Sequence, residues 1–147
     1  FDHIEVNYSY PEGVRAFMAQ RQQRRCHNEN SDYLLGTKGR GEIARSIFTE
    51  NAKGRWSYDG KRENMYQVEH NELFESIRAG KPINNGDRMA LSTMMAIMGR
   101  TAAYTGKEIT YEQILSAKED RYPKDMNWKT GKHTPPPLAK PGLTPFV

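Results

Sequence analysis

The sequence has very little cysteine. Cys26 is the only one among 147 residues, so the chain can form neither an internal disulfide framework nor a zinc site with several cysteine ligands. A lone cysteine is compatible with any compartment, so the localisation, cytoplasmic or periplasmic, stays open. No run of apolar residues is long enough to span a bilayer, and we expect no membrane partner.

Recognisable catalytic motifs are also missing. The chain contains no HExxH, GxSxG or EF-hand pattern, and its four histidines do not have metal-ligand spacing. Cys26 and His27 are adjacent, but a nucleophile and its base must be paired in space rather than in sequence. The net charge of +4 is spread along the chain, which is not a nucleic-acid-binding pattern. We therefore assign no catalytic, cofactor-binding or metal residue from motifs.

A glycine run at residues 36–41 has two interpretations. It could cradle a phosphate, or it could connect two strands of a hairpin. The run lacks the GKS or GKT ending of a phosphate loop and does not match GxGxxG between a strand and a helix. The residues that follow have a strand pattern, and the hairpin is therefore the favoured interpretation.

The N-terminal half predicts strands. Residues 1–10 alternate, with Ile4, Val6 and Tyr8 on one apolar face. A turn at residues 11–13 leads to a second arm at residues 14–24, in which neither face is purely apolar. This pattern suits a sheet with one face on helices and the other facing a partner or a ligand. Shorter strands are predicted at residues 31–35, 42–48 and 55–58, with a loop at residues 49–54.

A first helix is predicted from Tyr66 to about residue 79. Leu73, Phe74 and Ile77 continue an apolar face that starts at Tyr66. Glu69 and His70 lie on the same face, where burying an ionisable group is unfavourable unless it is paired. Either both lie where the helix leaves the core, or they line a cleft with a ligand role. Gly80 and Pro82 end the helix.

A second helix follows the cap candidates Asn84 and Asn85 and ends at Gly106. Its stripe of apolar side chains nearly surrounds it, so it should be the most buried helix: Leu91, Met94, Met95, Met98 and Ala102. Gly99 and the nearby alanines are small enough to let another element approach closely. Thr110 and Gln113 form a capping box that opens a short third helix at residues 111–117.

From residue 119 the chain loses periodicity and becomes rich in proline, which predicts an extended tail. Four large side chains are candidates to anchor it: Trp128, Leu138, Leu143 and Phe146. The whole pattern predicts an α+β fold with an open, mainly antiparallel β-sheet, two to three helices packed on one face, and this Pro-rich C-terminal tail. The residues alone define no self-contained active site.

Four stretches together resemble the C-terminal domain of the Gfo/Idh/MocA family of NAD(P)-dependent oxidoreductases. They are FDHIEVNYSYPEGVRAFMAQRQ (1–22), LLGTKGRGEI (34–43), YQVEHNELFESIRAGKPINNG (66–86) and MALSTMMAIMGRTAAYTGKEITYEQIL (89–115). The resemblance implies that residues 1–118 form the C-terminal α/β domain, for substrate binding and oligomerisation. Residues 119–147 would be the tail.

Members of the family bind NAD or NADP in an N-terminal Rossmann domain that carries a glycine fingerprint and a Glu-Lys-Pro type motif. Neither motif occurs here, and Lys81-Pro82 follows Gly80, so no catalytic role is transferred to it. His3 lies in a strand and is not equated with the family's catalytic histidine. The resemblance implies that this chain alone binds no cofactor and is inactive, because the Rossmann domain is a missing partner.

The implied function is to bind a sugar, polyol or related carbohydrate as part of an NAD(P)-dependent dehydrogenase. Candidate substrate-lining residues are Arg21, Tyr66, Glu69 and His70. A homo-oligomer would form through the sheet face. The abrupt start at Phe1, inside strand-like sequence, predicts a chain cut from a longer parent. Two alternatives stay open: a stand-alone structural or binding module that self-associates through its open sheet, and part of an NAD-dependent glycoside-cleaving relative.

Overall fold

A computed structural model describes residues 2–43, 48–120, 122–123 and 125–147. In this part of the chain the strands are β1 (His3–Ser9), β2 (Arg15–Arg21), β3 (Asp32–Gly36), β4 (Gly39–Ile43), β5 (Phe48–Asn51) and β6 (Gly54–Ser57). The helices are α1 (Met65–Arg78), α2 (Gly86–Thr105) and α3 (Tyr111–Ser116). Two compact units result: Phe1–Gln23 with Asn84–Val147, and Arg24–Ile83.

The first unit is built on the predicted hairpin. β1 and β2 pair antiparallel, with Val6 opposite Met18 and Tyr8 opposite Ala16. The predicted turn is confirmed as a short 3-10 turn at Pro11–Gly13, in which Glu12 has a positive φ. Every second residue of β1 is half-buried, since this face packs on α2. The predicted face on helices is therefore confirmed for β1.

Both ends of α2 are capped. The side chain of Asn84, rather than that of Asn85, accepts from the Gly86 N–H at 3.0 Å. At the other end Gly106 takes a left-handed conformation with a φ of +69°, as a helix-ending glycine does. The tail returns to this end, where the Gly142 N–H donates to the Thr105 carbonyl at 2.7 Å. The tail is therefore attached to α2 through the backbone.

The large apolar side chains of the tail contribute less to this attachment than the sequence predicted. Trp128, Leu138 and Leu143 are each more than 70% exposed, while Phe146 is half-buried. Leu138 directly follows Pro135, Pro136 and Pro137, which have no backbone N–H with which to bond back to the body of the unit.

Very few side chains of the first unit are fully buried. Among the described residues Ile114 in α3 is the one buried large apolar side chain. Thr101 and Thr105 are also buried. Their hydroxyls are satisfied by donating to carbonyls one turn back, that of Ile97 at 2.8 Å and that of Thr101 at 2.7 Å. As predicted, α2 contains more buried residues than α1 or α3. Its apolar stripe is nevertheless only partly covered, since Leu91 and Met95 stay exposed.

The second unit contains a four-stranded antiparallel meander, β3 to β6 in sequence order. The glycine run lies in the β3–β4 hairpin, which confirms the favoured interpretation. The prediction of a loop at residues 49–54 is wrong, because Thr49–Asn51 belong to β5 and Gly54 begins β6. The Asn51 side chain accepts from the Lys53 N–H at 2.8 Å, and Gly54 has a positive φ, so a two-residue turn suffices. The predicted strand at residues 42–48 falls partly on residues 44–47, outside the described residues.

The helix of the second unit, α1, has the predicted bounds. The Asn64 side chain caps it by accepting from the Tyr66 N–H at 3.0 Å. Gly80, with a φ of +69°, ends it. The predicted apolar face (Tyr66, Leu73, Phe74 and Ile77) is at least 40% exposed at every position. This face therefore offers apolar surface that the described chain does not cover.

The α+β class, the open antiparallel sheets and the extended tail are confirmed. The strands lie in two sheets, of two and four strands. The capping box of Thr110 and Gln113 is formed in full at the start of α3, as predicted. No described helix is both long enough and apolar enough to cross a membrane. The division of the sequence into a domain at residues 1–118 and a tail stays a prediction.

Gly106→Ala should destabilise the first unit more than Gly80→Ala destabilises the second. Both glycines have a φ of +69°, so both variants incur about 1–2 kcal/mol of left-handed strain. Only at Gly106 would a new Cβ meet the tail, 2.8 Å from the Gly142 nitrogen, whereas Gly80 has open space. We expect an additional loss of about 1 kcal/mol at Gly106, comparable to one hydrogen bond.

The measurement is urea unfolding followed by fluorescence in single-tryptophan chains. Trp128 reports the first unit in a Trp56→Phe background, and Trp56 reports the second in a Trp128→Phe background. Equal losses at the two glycines would show that docking of the tail does not stabilise the first unit.

Candidate functional site

Three of the four candidate substrate residues come together on α1. Tyr66, Glu69 and His70 occupy its first two turns, and all three side chains are exposed. We call them the α1 cluster. They lie one helical turn apart because residues at i, i+3 and i+4 share a helix face. Because all three are exposed, Glu69 and His70 avoid the free-energy cost of burying an ionisable group.

The His70 ring is held in one orientation. Its Nδ1 lies 2.6 Å from the Tyr66 carbonyl oxygen. A carbonyl oxygen only accepts, so Nδ1 must carry the hydrogen in this contact. The neutral ring then has an unprotonated Nε2 that can accept a hydrogen bond from outside. The α1 cluster thus combines an oriented imidazole acceptor, a carboxylate and a phenol.

Arg21, the fourth candidate, belongs to the first unit. It is the last residue of β2, where it pairs across the hairpin with His3, and its side chain is exposed. The four candidates are therefore divided between the two units, three in one and one in the other.

The first unit also contains a groove of about 910 Å³ that the sequence did not predict. One wall is β1 from Glu5 to Ser9 with the following Tyr10 and Pro11, and the facing wall is α2. The helix contributes side chains at one-turn spacing, namely Leu91, Met95, Met98 and Ala102. The segment after α2 closes one end with Lys107, Glu108 and Tyr111. We refer to this feature as the β1–α2 groove.

Two tyrosines fix the strand to the helix at the floor of the groove. The Tyr8 hydroxyl donates to the Met95 carbonyl at 3.0 Å, and the Tyr10 hydroxyl donates to the Met95 sulfur at 3.1 Å. Gly99 makes the first contact possible, since a Cβ there would overlap the Tyr8 hydroxyl. In the sequence, the small residues of α2 predicted that another element approaches this helix closely. They did not show that this element is β1.

The charges of the β1–α2 groove lie at its ends. Arg15 bonds to the Ser9 hydroxyl beside the Tyr10 end, whereas Lys107 and Glu108 follow the end of α2. Between them the walls are mainly uncharged. Desolvation raises the pKa of Tyr8, and the neighbouring Tyr10 adds to this shift. The middle of the groove is thus partly shielded from water.

No group of three His, Cys, Asp or Glu side chains in the described ranges is placed to hold a metal ion. The glycine run at residues 36–41 is explained by the sheet. At Gly39 a Cβ would overlap the Glu50 carbonyl, and at Gly41 it would lie 3.1 Å from the Phe48 carbonyl. These glycines allow β4 and β5 to approach closely, so the run has a structural role.

Comparisons of the chain with protein-family models, with curated proteins and with solved structures found no match. The α1 cluster and the β1–α2 groove are therefore interpreted from their own geometry.

Tyr8→Phe should reduce the stability of the first unit by about 1 kcal/mol at neutral pH, because the hydrogen bond from the Tyr8 hydroxyl to the Met95 carbonyl is lost. It should also change the response to alkali. The raised pKa of Tyr8 means that the folded state keeps its proton where the unfolded state, with a pKa of about 10, loses it. The Tyr8 contribution is therefore fully present below about pH 10 and is lost as pH rises through the folded pKa.

The measurement is the unfolding free energy of the first unit between about pH 8 and about pH 11. The wild-type chain should lose stability more steeply than Tyr8→Phe at the alkaline end. Parallel pH profiles would contradict the assignment of Tyr8 as the desolvated phenol.

Proposed function

We propose that the chain is the substrate-binding and assembly domain of an NAD(P)-dependent oxidoreductase of the Gfo/Idh/MocA type, acting on a sugar, polyol or related carbohydrate. The four resembling stretches supply the class of enzyme. The observation that carries the substrate class is the α1 cluster, in which Tyr66, Glu69 and His70 present hydrogen-bonding groups on one exposed helix surface.

The chemistry of the cluster suits a polyhydroxyl ligand. Sugar hydroxyls donate hydrogen bonds, and both the Glu69 carboxylate and the His70 Nε2 accept them. The Tyr66 ring offers an apolar face beside a polar hydroxyl. Because the Tyr66 carbonyl already orients His70, less rotational freedom is lost when a ligand binds.

The cofactor, NAD or NADP, is proposed to be held by a Rossmann domain that acts as partner to this chain. This division is supported by the glycines of the 36–41 run, which are accounted for by the hairpin and by the close approach of β4 to β5. In this proposal the chain recognises the substrate and leaves cofactor binding to the partner domain.

The assembly role is supported by uncovered apolar surface in each unit. Phe17 on the outer face of the first hairpin is 74% exposed, and Leu35 in β3 is 92% exposed. The apolar face of α1 is exposed as well. The row of exposed apolar side chains on α1 is the kind of surface that contacts further protein. We propose that the partner domain and a second copy of the chain, contacted through a sheet face, cover it.

A stand-alone module that self-associates is the second candidate function, and the exposure of Phe17 favours it. Titration of the 147-residue chain with NADH and NADPH, followed by nicotinamide fluorescence, tests the first candidate. We expect no saturable binding until the partner domain is added. Stoichiometric micromolar binding to the chain alone would contradict the proposal, because the cofactor site would then lie within these residues.

Glu69→Gln should weaken carbohydrate binding about tenfold, since a charged acceptor contributes about 1.5–3 kcal/mol to a hydrogen bond. The matched control is Glu75→Gln, which makes the same change on the opposite face of α1 and should bind as the wild type does. The probes are glucose and sorbitol, and binding is followed by NMR shifts of the α1 amides. Equal behaviour of the two variants would contradict a role of the α1 cluster.

A further inference from the structure

The outer edge of β1 is unpaired in the part of the chain that the structure describes. The Tyr10 N–H donates to the Val14 carbonyl at 2.9 Å, and the Gln22 N–H donates to the Asp2 carbonyl at 2.8 Å. Hydrogen-bonded pairs therefore fall at the even positions of the β1–β2 ladder. In an antiparallel pair the alternate residues point their backbone groups away from the partner. The N–H and C=O groups of Glu5, Asn7 and Ser9 thus face outward.

This free edge forms one wall of the β1–α2 groove. The groove contacts β1 continuously from Glu5 to Ser9 but reaches only Arg15 of β2. It therefore runs along the side of β1 that faces away from β2. The facing wall is the apolar stripe of α2, and the two walls are fixed at Met95 by Tyr8 and Tyr10. A strand edge opposite a helix face is the geometry in which proteins bind an added strand.

We propose that the β1–α2 groove binds an extended peptide segment, which adds a strand to β1. The segment has apolar side chains at alternate positions. Outward N–H and C=O groups at every second residue are complementary to another extended backbone. Alternate side chains of the segment then reach Met95, Met98 and Ala102 on α2. The wall from Glu5 to Pro11 accommodates about seven residues at about 3.3 Å each.

The charges of the groove define the ends of the bound segment. β1 and α2 run in opposite directions, because Tyr10 meets Met95 whereas Val6 meets Gly99. The end of α2, with Glu108, therefore lies toward Glu5, and Arg15 marks the other end. At that end the carboxylates of Glu5 and Glu108 outnumber the ammonium group of Lys107, so the segment carries a basic residue there. It carries an acidic residue near Arg15, and none between them.

The test uses two capped heptapeptides of alternating threonine and valine. One has lysine first and aspartate last, and the other has the reverse order. Whether the segment binds parallel or antiparallel to β1, one of the two peptides places its lysine near Glu5 and its aspartate near Arg15. NMR of the whole chain should show saturable binding of one peptide. The amides of Glu5, Asn7 and Ser9 should become protected from hydrogen exchange. The same peptide N-methylated along its central residues should not bind, since it keeps its side chains but loses its backbone donors.

Two variants locate the interaction. Asn7→Pro removes an outward N–H without removing a β1–β2 hydrogen bond. Edge strands tolerate proline at such positions. The variant should weaken peptide binding about tenfold or more. Asn7→Ala keeps the N–H and should bind as the wild type does. If Asn7→Pro fails to fold, Ala102→Leu fills the groove instead, with Ala90→Leu on the same helix as its control.

Four results would overturn the proposal. The first is equal binding of the N-methylated peptide. The second is unchanged affinity in both Asn7→Pro and Ala102→Leu. The third is a dimer of the chain that Asn7→Pro dissociates, because the occupant would then be a second copy. The fourth is an NMR shift of these amides on addition of glucose with no shift on addition of either peptide, because the ligand of the groove would then be a carbohydrate.

Discussion

The contact between Tyr8 and one turn of α2 is the interaction on which the first unit depends. The strand supplies a ring with a hydroxyl, and the helix supplies the Met95 carbonyl and the missing side chain of Gly99. A Cβ at Gly99 would displace the Tyr8 hydroxyl from its present position, and without the ring the hairpin would lose its polar attachment. The half-buried face of β1, the position of the groove and the raised pKa of Tyr8 all follow from this approach.

A second property is how little the described chain buries. Its elements are well defined by backbone hydrogen bonds and by residues at the helix ends, namely Asn64, Asn84, Thr110 and Gly106. Apolar burial, which normally dominates folding stability, is limited to a few positions. Local structure is therefore better specified than tertiary packing. Any protein that bound these exposed faces would stabilise such a chain, because binding to the folded state shifts the folding equilibrium.

The sequence predicted local structure closely where the responsible residues are close together in the chain. The helix bounds follow from caps and glycines such as Gly80 and Gly106, and the β3–β4 hairpin from its glycines. The turn after Asn51 was missed. It is stabilised by the hydrogen bond from the Lys53 N–H to the Asn51 side chain, but in the sequence these polar residues suggest a longer loop. Helical spacing placed Tyr66, Glu69 and His70 on one face, whereas their selection as substrate-lining residues came from the family resemblance and stays a prediction. The groove was not predicted, because the pairing of β1 with α2 joins residues more than eighty positions apart.

The bond from the Gly142 N–H to the Thr105 carbonyl also has a consequence for synthesis on the ribosome. At about 5–20 residues per second, Gly142 leaves the ribosome a few seconds after Thr105 has left it. During that interval the last turn of α2 is outside the ribosome but lacks its tail. The carboxyl end of the helix is then open to water or to another protein. The emerging chain therefore passes through a stage in which a chaperone can contact a helix end that Gly142 later covers.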